Sequence, residues 1–320
     1  MTRVNDSGTS VRLNCLKPGK LPSYAMVFLE HVPSGRRNPE RIFGHPDYAP
    51  YFGQYLADAI SRFGTDGAVY NGTSGFALAD SQPASFIFGT TQATIAAWNA
   101  DSGATAQLMV DNSGTPPKAS YDAVAVSSGS NPPLLYVVNF IARGIEVYDT
   151  NFQPTTLAGN FTDPNLPAGY SPFNIRNIGG NLYVVYIQGG GTSGLTRMPG
   201  AGLVDIFDQS GAFVKRLITG GPLNAPYGLA IAPPGWRAFG NAVLVANFGD
   251  NMINAFDPDT GNFLGTLQDP QGNPIVIPGL RSILFGNGGD GGDPNTLYFA
   301  SFPPNPDGNP HGLLGSLMPQ

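Results

Sequence analysis

The sequence predicts an all-β fold, a β-propeller built from four-stranded blades. The prediction rests on a recurring pattern of short apolar strands, a turn motif at one place in the repeat, and an abundance of turn-forming residues. Glycine and proline occupy 43 and 30 of the 320 positions, and only 12% of the residues are charged. So much glycine and proline, without a collagen period, indicates many short strands joined by tight turns.

The repeat begins with segments that read apolar-aromatic-apolar and have the composition of buried strands. They occupy residues 86–90, 135–140, 182–187, 244–248 and 297–302. All but the last are followed by a strand that ends in an aromatic residue and then Asp or Asn, at Trp98, Tyr148, Phe207 and Phe256. A third strand follows, at residues 107–110, 156–158, 214–218 and 263–267.

A fourth kind of strand opens the next unit, at residues 121–126, 172–175, 226–231 and 280–285. Successive units are separated by about fifty residues, which is the length of one four-stranded propeller blade. A β-sandwich would explain the number of strands but not their recurrence. We therefore expect five or six blades, with the first blade divergent or incomplete.

The aromatic-Asp pair is followed by a glycine-containing turn at residues 207–211 and 256–261. An Asp side chain accepts hydrogen bonds from the backbone of such a turn, and glycine adopts the positive φ that the turn requires. These aspartates are predicted to be structural rather than catalytic.

The repeats assign residues 65–320 to the propeller and leave residues 1–64 as a divergent N-terminal segment. Residues 50–63 are predicted to be helical, because Tyr51, Tyr55, Ile60 and Phe63 fall on one helical face. The segment is either a genuine replacement or a mis-assigned start of the gene. Residues 312–317 match the third strand of a blade, so either residues 11–16 supply the strand that closes the ring or the final blade stays incomplete with an open edge.

Five stretches carry a family resemblance: residues 161–175, 221–230, 247–250, 272–277 and 311–317. Together they resemble a family of uncharacterised, usually exported bacterial β-propeller proteins, some of which carry a PEP-CTERM sorting tail. The resemblance implies a propeller related to NHL and gluconolactonase-like repeats, an extracellular or periplasmic location, and no established activity. We expect no sorting tail after Leu317, and the N-terminus lacks the apolar segment of a signal peptide.

Composition argues against several classes of function. The net charge of −6 disfavours a nucleic-acid partner, because phosphate contacts need clustered basic residues. No apolar run approaches the roughly 18 residues of a membrane span. The single cysteine, Cys15, excludes a disulfide framework and a multi-cysteine zinc site.

The candidate site lies where loops enter the first strand and leave the second strand of each blade, at one end of the channel. Its predicted ligand-binding residues are Asp122, Asn174, Arg281 and Asp250. Asn139 and Asn247 occupy equivalent places in their repeats and are a candidate pair of metal ligands, with Ca²⁺ as the cofactor. The favoured interpretation is that each Asn bonds the neighbouring backbone, because such local bonding needs no partner strand. His31, His45 and His311 are expected in structural or solvated roles.

Three functions remain open from the sequence. The favoured one is a surface-associated or extracellular binding or scaffold protein whose partner is an unknown small molecule, glycan or protein. It is favoured because recognition loops are abundant and catalytic groups with clear partners are missing. The alternative is a metal-dependent hydrolase, lactonase or lyase of the gluconolactonase-like kind that acts at the channel mouth. The third is a non-functional gene product.

Overall fold

The computed structural model describes residues 65–102, 105–114, 119–129, 132–190, 194–288, 292–303 and 313–319. Within these ranges the chain forms 18 β-strands and two short 3-10 turns, Ala100–Ser102 and Arg237–Phe239. The N-terminal segment, its predicted helix, the candidate closing strand at residues 11–16, and all three histidines lie outside the described residues.

The strands form five antiparallel sheets that follow one another along the chain as the blades of a β-propeller. Blade 1 consists of β1 (Thr65–Tyr70), β2 (Phe86–Thr90), β3 (Thr94–Trp98) and β4 (Gln107–Asp111). Blade 2 consists of β5 (Tyr121–Val126), β6 (Leu135–Asn139) and β7 (Gly144–Tyr148). Blade 3 consists of β8 (Tyr170–Ile178), β9 (Asn181–Gln188), β10 (Gly202–Phe207) and β11 (Phe213–Thr219).

Blade 4 consists of β12 (Pro226–Ile231), β13 (Val243–Asn247), β14 (Ile253–Phe256) and β15 (Phe263–Thr266). Blade 5 consists of β16 (Leu280–Phe285), β17 (Leu297–Ser301) and β18 (Leu313–Leu317). The predicted propeller is therefore confirmed, and three of the five sheets have four strands. No helix among the described residues has the length and apolar character needed to cross a bilayer.

The hydrophobic core is divided into clusters that lie between successive blades. One cluster joins blades 1 and 2, a second joins blades 2 and 3, and two more join blade 3 to blade 4 and blade 4 to blade 5. The aromatic residues predicted at the strand ends all belong to this buried interior: Trp98, Tyr148, Phe207 and Phe256. Each blade is thus stabilised mainly by its neighbours.

Blades 2 and 5 each have three named strands, and blade 2 differs from the sequence prediction. The predicted outer strand at residues 156–158 is replaced by a single bridge between Tyr148 and Pro154 and one hydrogen bond from Thr155 N to Val147 O. Proline has no N–H to donate, so the ladder does not continue from Pro154. In blade 5, β18 is the third strand, as predicted.

The turn aspartates have the structural role predicted for them. Oδ1 of Asp257 accepts hydrogen bonds from the backbone N–H groups of Asp259 and Thr260 and from the Thr260 hydroxyl. These hydrogen bonds, led by the one from the Thr260 N–H, lower the pKa of Asp257. Asp208 accepts from Ser210 and Ala212 in the same way.

The innermost strand of every blade carries a β-bulge at the same place. The pairing of the first and second strands slips by one residue near the start of β1, β5, β8, β12 and β16. The residues left unpaired by the slip are Asp66, Asp122, Phe173, Tyr227 and Arg281. Such bulges turn a side chain away from the regular alternation of the strand.

The residue after the bulge is small where neighbouring inner strands come close. A Cβ atom on Gly67 would lie 2.5 Å from the Cα of Ala123, and one on Gly228 would lie 2.6 Å from the carbonyl oxygen of Arg281. Glycine is required at these positions by close approach of backbones rather than by a positive φ.

We expect Gly228→Ala to destabilise the protein by about 1–3 kcal/mol, because the added methyl group would force β12 and β16 apart. Chemical denaturation of the variant and the wild type measures this. The matched control is Gly144→Ala, where a Cβ would meet nothing within 4 Å in a strand. Equal stability of the two variants would contradict the close approach of the inner strands.

Candidate functional site

The central channel is formed by the inner strands of the blades. Along the ring, β1 contacts β5, β5 contacts β8, β8 contacts β12, and β12 contacts β16. Each inner strand starts at the end of the channel that carries the bulges, which we call the bulge end. Each finishes at the loop that leads to the second strand of its blade, which we call the opposite end.

At the bulge end, side chains from three blades meet and fill the channel. The Tyr227 hydroxyl donates to the carbonyl oxygen of Asp122 at 3.1 Å, and Asn174 Nδ2 donates to the carbonyl oxygen of Tyr227 at 2.7 Å. The ring of Phe173 packs against Tyr227 with centroids 4.9 Å apart. All four residues are buried. The channel is therefore closed at this end by the Asp122, Phe173, Asn174 and Tyr227 side chains and backbone.

The predicted site residues Asp122, Asn174 and Arg281 do not all occupy the same place in their strands. Asp122 and Arg281 are bulge residues, but the bulge residue of β8 is Phe173, and Asn174 pairs regularly with Val185. The Arg281 guanidinium lies 5.6 Å from the Tyr227 ring centroid and 4.1 Å from that of Phe248. Cation–π contact of this kind holds Arg281 at the rim of the bulge end.

Asn139 makes hydrogen bonds inside its own blade. Its Nδ2 donates to Glu146 Oε1 at 2.6 Å, and its Oδ1 accepts from the N–H groups of Ala142 and Ser120. Glu146 also accepts from the hydroxyls of Tyr121 and Tyr148. The amide thus acts as a cap for the turn after β6.

Asn247 lies beside Asp250, as their spacing in the sequence allows. Its Nδ2 donates to the carbonyl oxygen of Pro222 at 2.7 Å and to Asp250 Oδ2 at 3.2 Å. Its Oδ1 is buried and has no hydrogen-bond partner among the described residues. Burial raises the pKa of Asp250.

The two predicted metal ligands belong to separate hydrogen-bond networks. Asn139 is bonded in blade 2, and Asn247 is bonded in blade 4. In the described part of the chain, no three His, Cys, Asp or Glu residues are grouped to hold a metal ion. Ca²⁺ prefers six to eight oxygen ligands, and the two amides do not fit such a shared site. The calcium site stays a prediction, and Asn247 with Asp250 is its nearest counterpart in the structure.

A cavity of about 580 Å³ lies in the channel between the closed bulge end and the opposite end. Asn174 and Tyr227 line its inner part, and the exposed Gly72, Ser128 and Gly179 line its outer part. The cavity therefore opens to solvent at the opposite end, where no site residue was predicted. Among the predicted site residues, Asn174 lines it.

Of the cavity-lining residues that the structure describes, Arg176 is the one that carries a charge. It follows Asn174 by two positions on β8, so both face the channel. Its Nη1 donates to the carbonyl oxygen of Ile283 on β16 at 3.2 Å. Burial lowers the pKa of Arg176 to about 10, so the guanidinium is positively charged at neutral pH.

Arg176 was not among the predicted site residues, although the sequence of its strand indicates a channel-facing position. Basic residues occur in only two of the inner strands, as Arg176 in β8 and Arg281 in β16. A charge in a strand that is otherwise suited to burial marks a position facing the channel or a ligand.

A separate cluster of ionisable groups, in blade 3, has a structural role. Arg216 forms ion pairs with the buried carboxylates of Asp163 and Asp205, and its Nε lies 3.0 Å from Asp205 Oδ1. Asp205 Oδ2 has no hydrogen-bond partner among the described residues. Burial raises the pKa of Asp205 to about 7.

Sequence comparison links the chain to viral proteins of unknown role, and no family model matches it. It is 35% identical over 190 residues to an uncharacterized protein of Acanthamoeba polyphaga mimivirus, over 58% of this chain and 45% of that protein. A second uncharacterized protein of the same virus is 33% identical over 200 residues, 61% of this chain and 36% of that protein. The chain thus spans less than half of these relatives, which are viral rather than bacterial.

Solved structures with a similar fold include several propellers. Regucalcin from Agrobacterium tumefaciens, a calcium-binding protein, is 16% identical with a TM-score of 0.44, over 79% of this chain and 89% of that one. A gluconolactonase from Xanthomonas campestris is 15% identical with a TM-score of 0.39, over 79% and 88%. Glutaminyl cyclase from Myxococcus xanthus is 14% identical with a TM-score of 0.41, over 79% and 91%. Similarity at this level concerns the fold and carries no conclusion about activity.

We expect Tyr227→Phe to lower the free energy of unfolding by about 1 kcal/mol, because the variant loses a buried hydrogen bond across the channel. Chemical denaturation measures the loss. Tyr183→Phe is the control, since the Tyr183 hydroxyl makes no hydrogen bond to the residues that the structure describes. A loss that is equal in both variants would show that the Tyr227 bond does not hold the bulge end closed.

Stability should also depend on pH through Asp205. Its pKa rises from 3.8 to about 7 on folding. Its contribution to the stability of the folded state is therefore complete below about pH 4 and is lost as pH rises through 7. Between pH 5 and pH 8, we expect the free energy of unfolding of the wild type to fall by more than about 1 kcal/mol relative to that of Asp205→Asn. Denaturation of both proteins at the two pH values checks this, and a constant difference between them would refute it.

Proposed function

We propose that this chain is a binding protein that holds a small molecule in its central channel, from the opposite end. The observation that carries the proposal is the cavity of about 580 Å³ between the inner strands, lined by the buried Asn174 and Tyr227 on its inner side and by the exposed Gly72, Ser128 and Gly179 on its outer side. Small-molecule sites have volumes of roughly 300–1,000 Å³ and combine an apolar lining with a few polar groups.

The lining of the cavity has that mixed character. Ala68, Val69 and Leu284 supply apolar surface, and Thr73 and Ser128 supply hydroxyls near the opening. Asn177 is held in place by a hydrogen bond to the carbonyl oxygen of Val126 at 2.9 Å and by another from the Ser128 hydroxyl at 3.2 Å. A rigid rim of this kind favours selective binding over non-specific adhesion.

The extracellular or periplasmic location belongs to the proposal and is supported by the resemblance to exported propellers. The role as part of a larger scaffold is supported by the length of the viral relatives, of which this chain matches less than half. A small molecule is favoured over a glycan or a protein because the lining residues form a concave cavity between the inner strands rather than a flat face.

The metal-dependent alternative is supported by one observation, the unpartnered Asn247 Oδ1 beside the Asp250 carboxylate. Its test is a calorimetric titration of the wild type and of Asn247→Ala with Ca²⁺. Binding by the wild type that falls more than tenfold in the variant would favour the alternative. Equal affinities, or no heat of binding, would remove Asn247 from consideration.

The binding proposal is tested with a library of small polar fragments and ligand-detected NMR. We expect fragments that bind the wild type to be lost, with at least tenfold weaker affinity, in Leu284→Trp. Leu284 is partly exposed to the cavity, so the larger ring can occupy that space. Leu264→Trp is the control, because Leu264 is exposed on the outer strand β15 of blade 4. Fragments that bind Leu284→Trp as well as wild type would contradict a channel site.

A further inference from the structure

Among the described residues that line the channel cavity, Arg176 is the one Lys, Arg, Asp or Glu. Arg176 forms no ion pair with the residues that the structure describes, and its one hydrogen bond there goes to the carbonyl oxygen of Ile283. A guanidinium has five N–H donors, and this hydrogen bond uses one of them.

A partly buried guanidinium without a counter-ion is costly, since burial disfavours the charged form of the side chain. The lowered pKa of Arg176 reflects that burial. By contrast, Arg216 in blade 3 is paired with two carboxylates. A ligand that carries negative charge into the cavity would compensate the Arg176 charge in the same way.

We propose that Arg176 binds the anionic group of the channel ligand, a carboxylate or a phosphate on a small organic molecule. The inference rests on the proposed function and adds the chemical class of the ligand. The planar guanidinium matches the two oxygens of a carboxylate or phosphate and binds them with paired hydrogen bonds. The rest of the ligand packs against Ala68, Val69 and Leu284.

The position of Arg176 determines how the proposed ligand is oriented in the channel. Its hydrogen bond crosses from β8 to β16, which fixes the guanidinium across the channel. The Asn174 and Tyr227 groups that form the inner wall already bond each other. The anionic group therefore binds within the channel at Arg176, and the apolar or polar remainder extends toward the hydroxyls of Thr73 and Ser128 at the opening.

The test compares benzoate, phenyl phosphate and the neutral benzamide by isothermal titration calorimetry against the wild type and Arg176→Gln. We expect at least one anion to bind wild type tenfold or more tightly than benzamide, and Arg176→Gln to lose that preference. The stronger of the two anions identifies carboxylate or phosphate as the preferred group. Binding of neither anion to the wild type would overturn the proposal.

The matched control is Arg143→Gln. Arg143 is exposed and also donates one hydrogen bond to a backbone carbonyl, that of Gly190, at 3.2 Å, but it does not line the cavity. It should leave the anion affinities unchanged. If Arg176→Gln does not fold, Arg176→Lys keeps the charge but not the planar pair of donors, and it should bind the anions more weakly than wild type while its affinity for benzamide is unchanged. A lysine variant that binds the anions as tightly as wild type would count against the guanidinium as the anion site.

Failure of this inference is distinguishable from failure of channel binding. If benzamide and benzoate bind equally to the wild type and to Arg176→Gln, yet both are lost in Leu284→Trp, then the channel binds ligands but not through an anionic group. If Leu284→Trp leaves the binding of every compound unchanged, the channel itself is not the site.

Discussion

Packing between successive blades is the interaction on which the rest of this structure depends. In β13, Val243 and Val245 face the cluster shared with blade 3, whereas Leu244 and Ala246 face the cluster shared with blade 5. Successive residues of a strand point to opposite faces, so a strand buried on both faces must be apolar throughout. The core clusters of the described residues join neighbouring blades, and each inner strand is positioned by its neighbours. The channel, its closed end and its cavity are consequences of that arrangement.

Double-sided burial also explains how much of the fold could be predicted from the sequence. Continuous apolar runs identified the second strands, and the inner strands β5, β12 and β16 have the predicted bounds. The strand β1 was missed because its sequence, Thr-Asp-Gly-Ala-Val-Tyr, contains no such run. The outer strand of blade 2 was overestimated, since a proline at the bridge position ends the ladder.

The candidate site was less predictable, for reasons that involve register and chain crossing. A bulge moves one residue out of the strand's alternation, and counting along the sequence cannot show whether Phe173 or Asn174 occupies that place. The sequence also placed ligands at the bulge end, where Tyr227 reaches across the channel to Asp122 and fills it. That bond joins residues 105 positions apart, and nothing local predicts it. The sequence shows Arg176 as a charged residue in a buried strand. That it has no ion-pair partner among the described residues can be seen only from the packing of the other inner strands around it.

Ligands are proposed to enter at the opposite end of the channel and to bind beside Arg176. A crystal structure of the full chain soaked with benzoate or phenyl phosphate would show where they bind. We expect electron density for the ligand between the Arg176 guanidinium and Leu284, with the Tyr227 hydroxyl still bonded to Asp122. Density for the ligand beside Asn247 and Asp250 at the bulge end, with the channel cavity unchanged, would contradict this proposal.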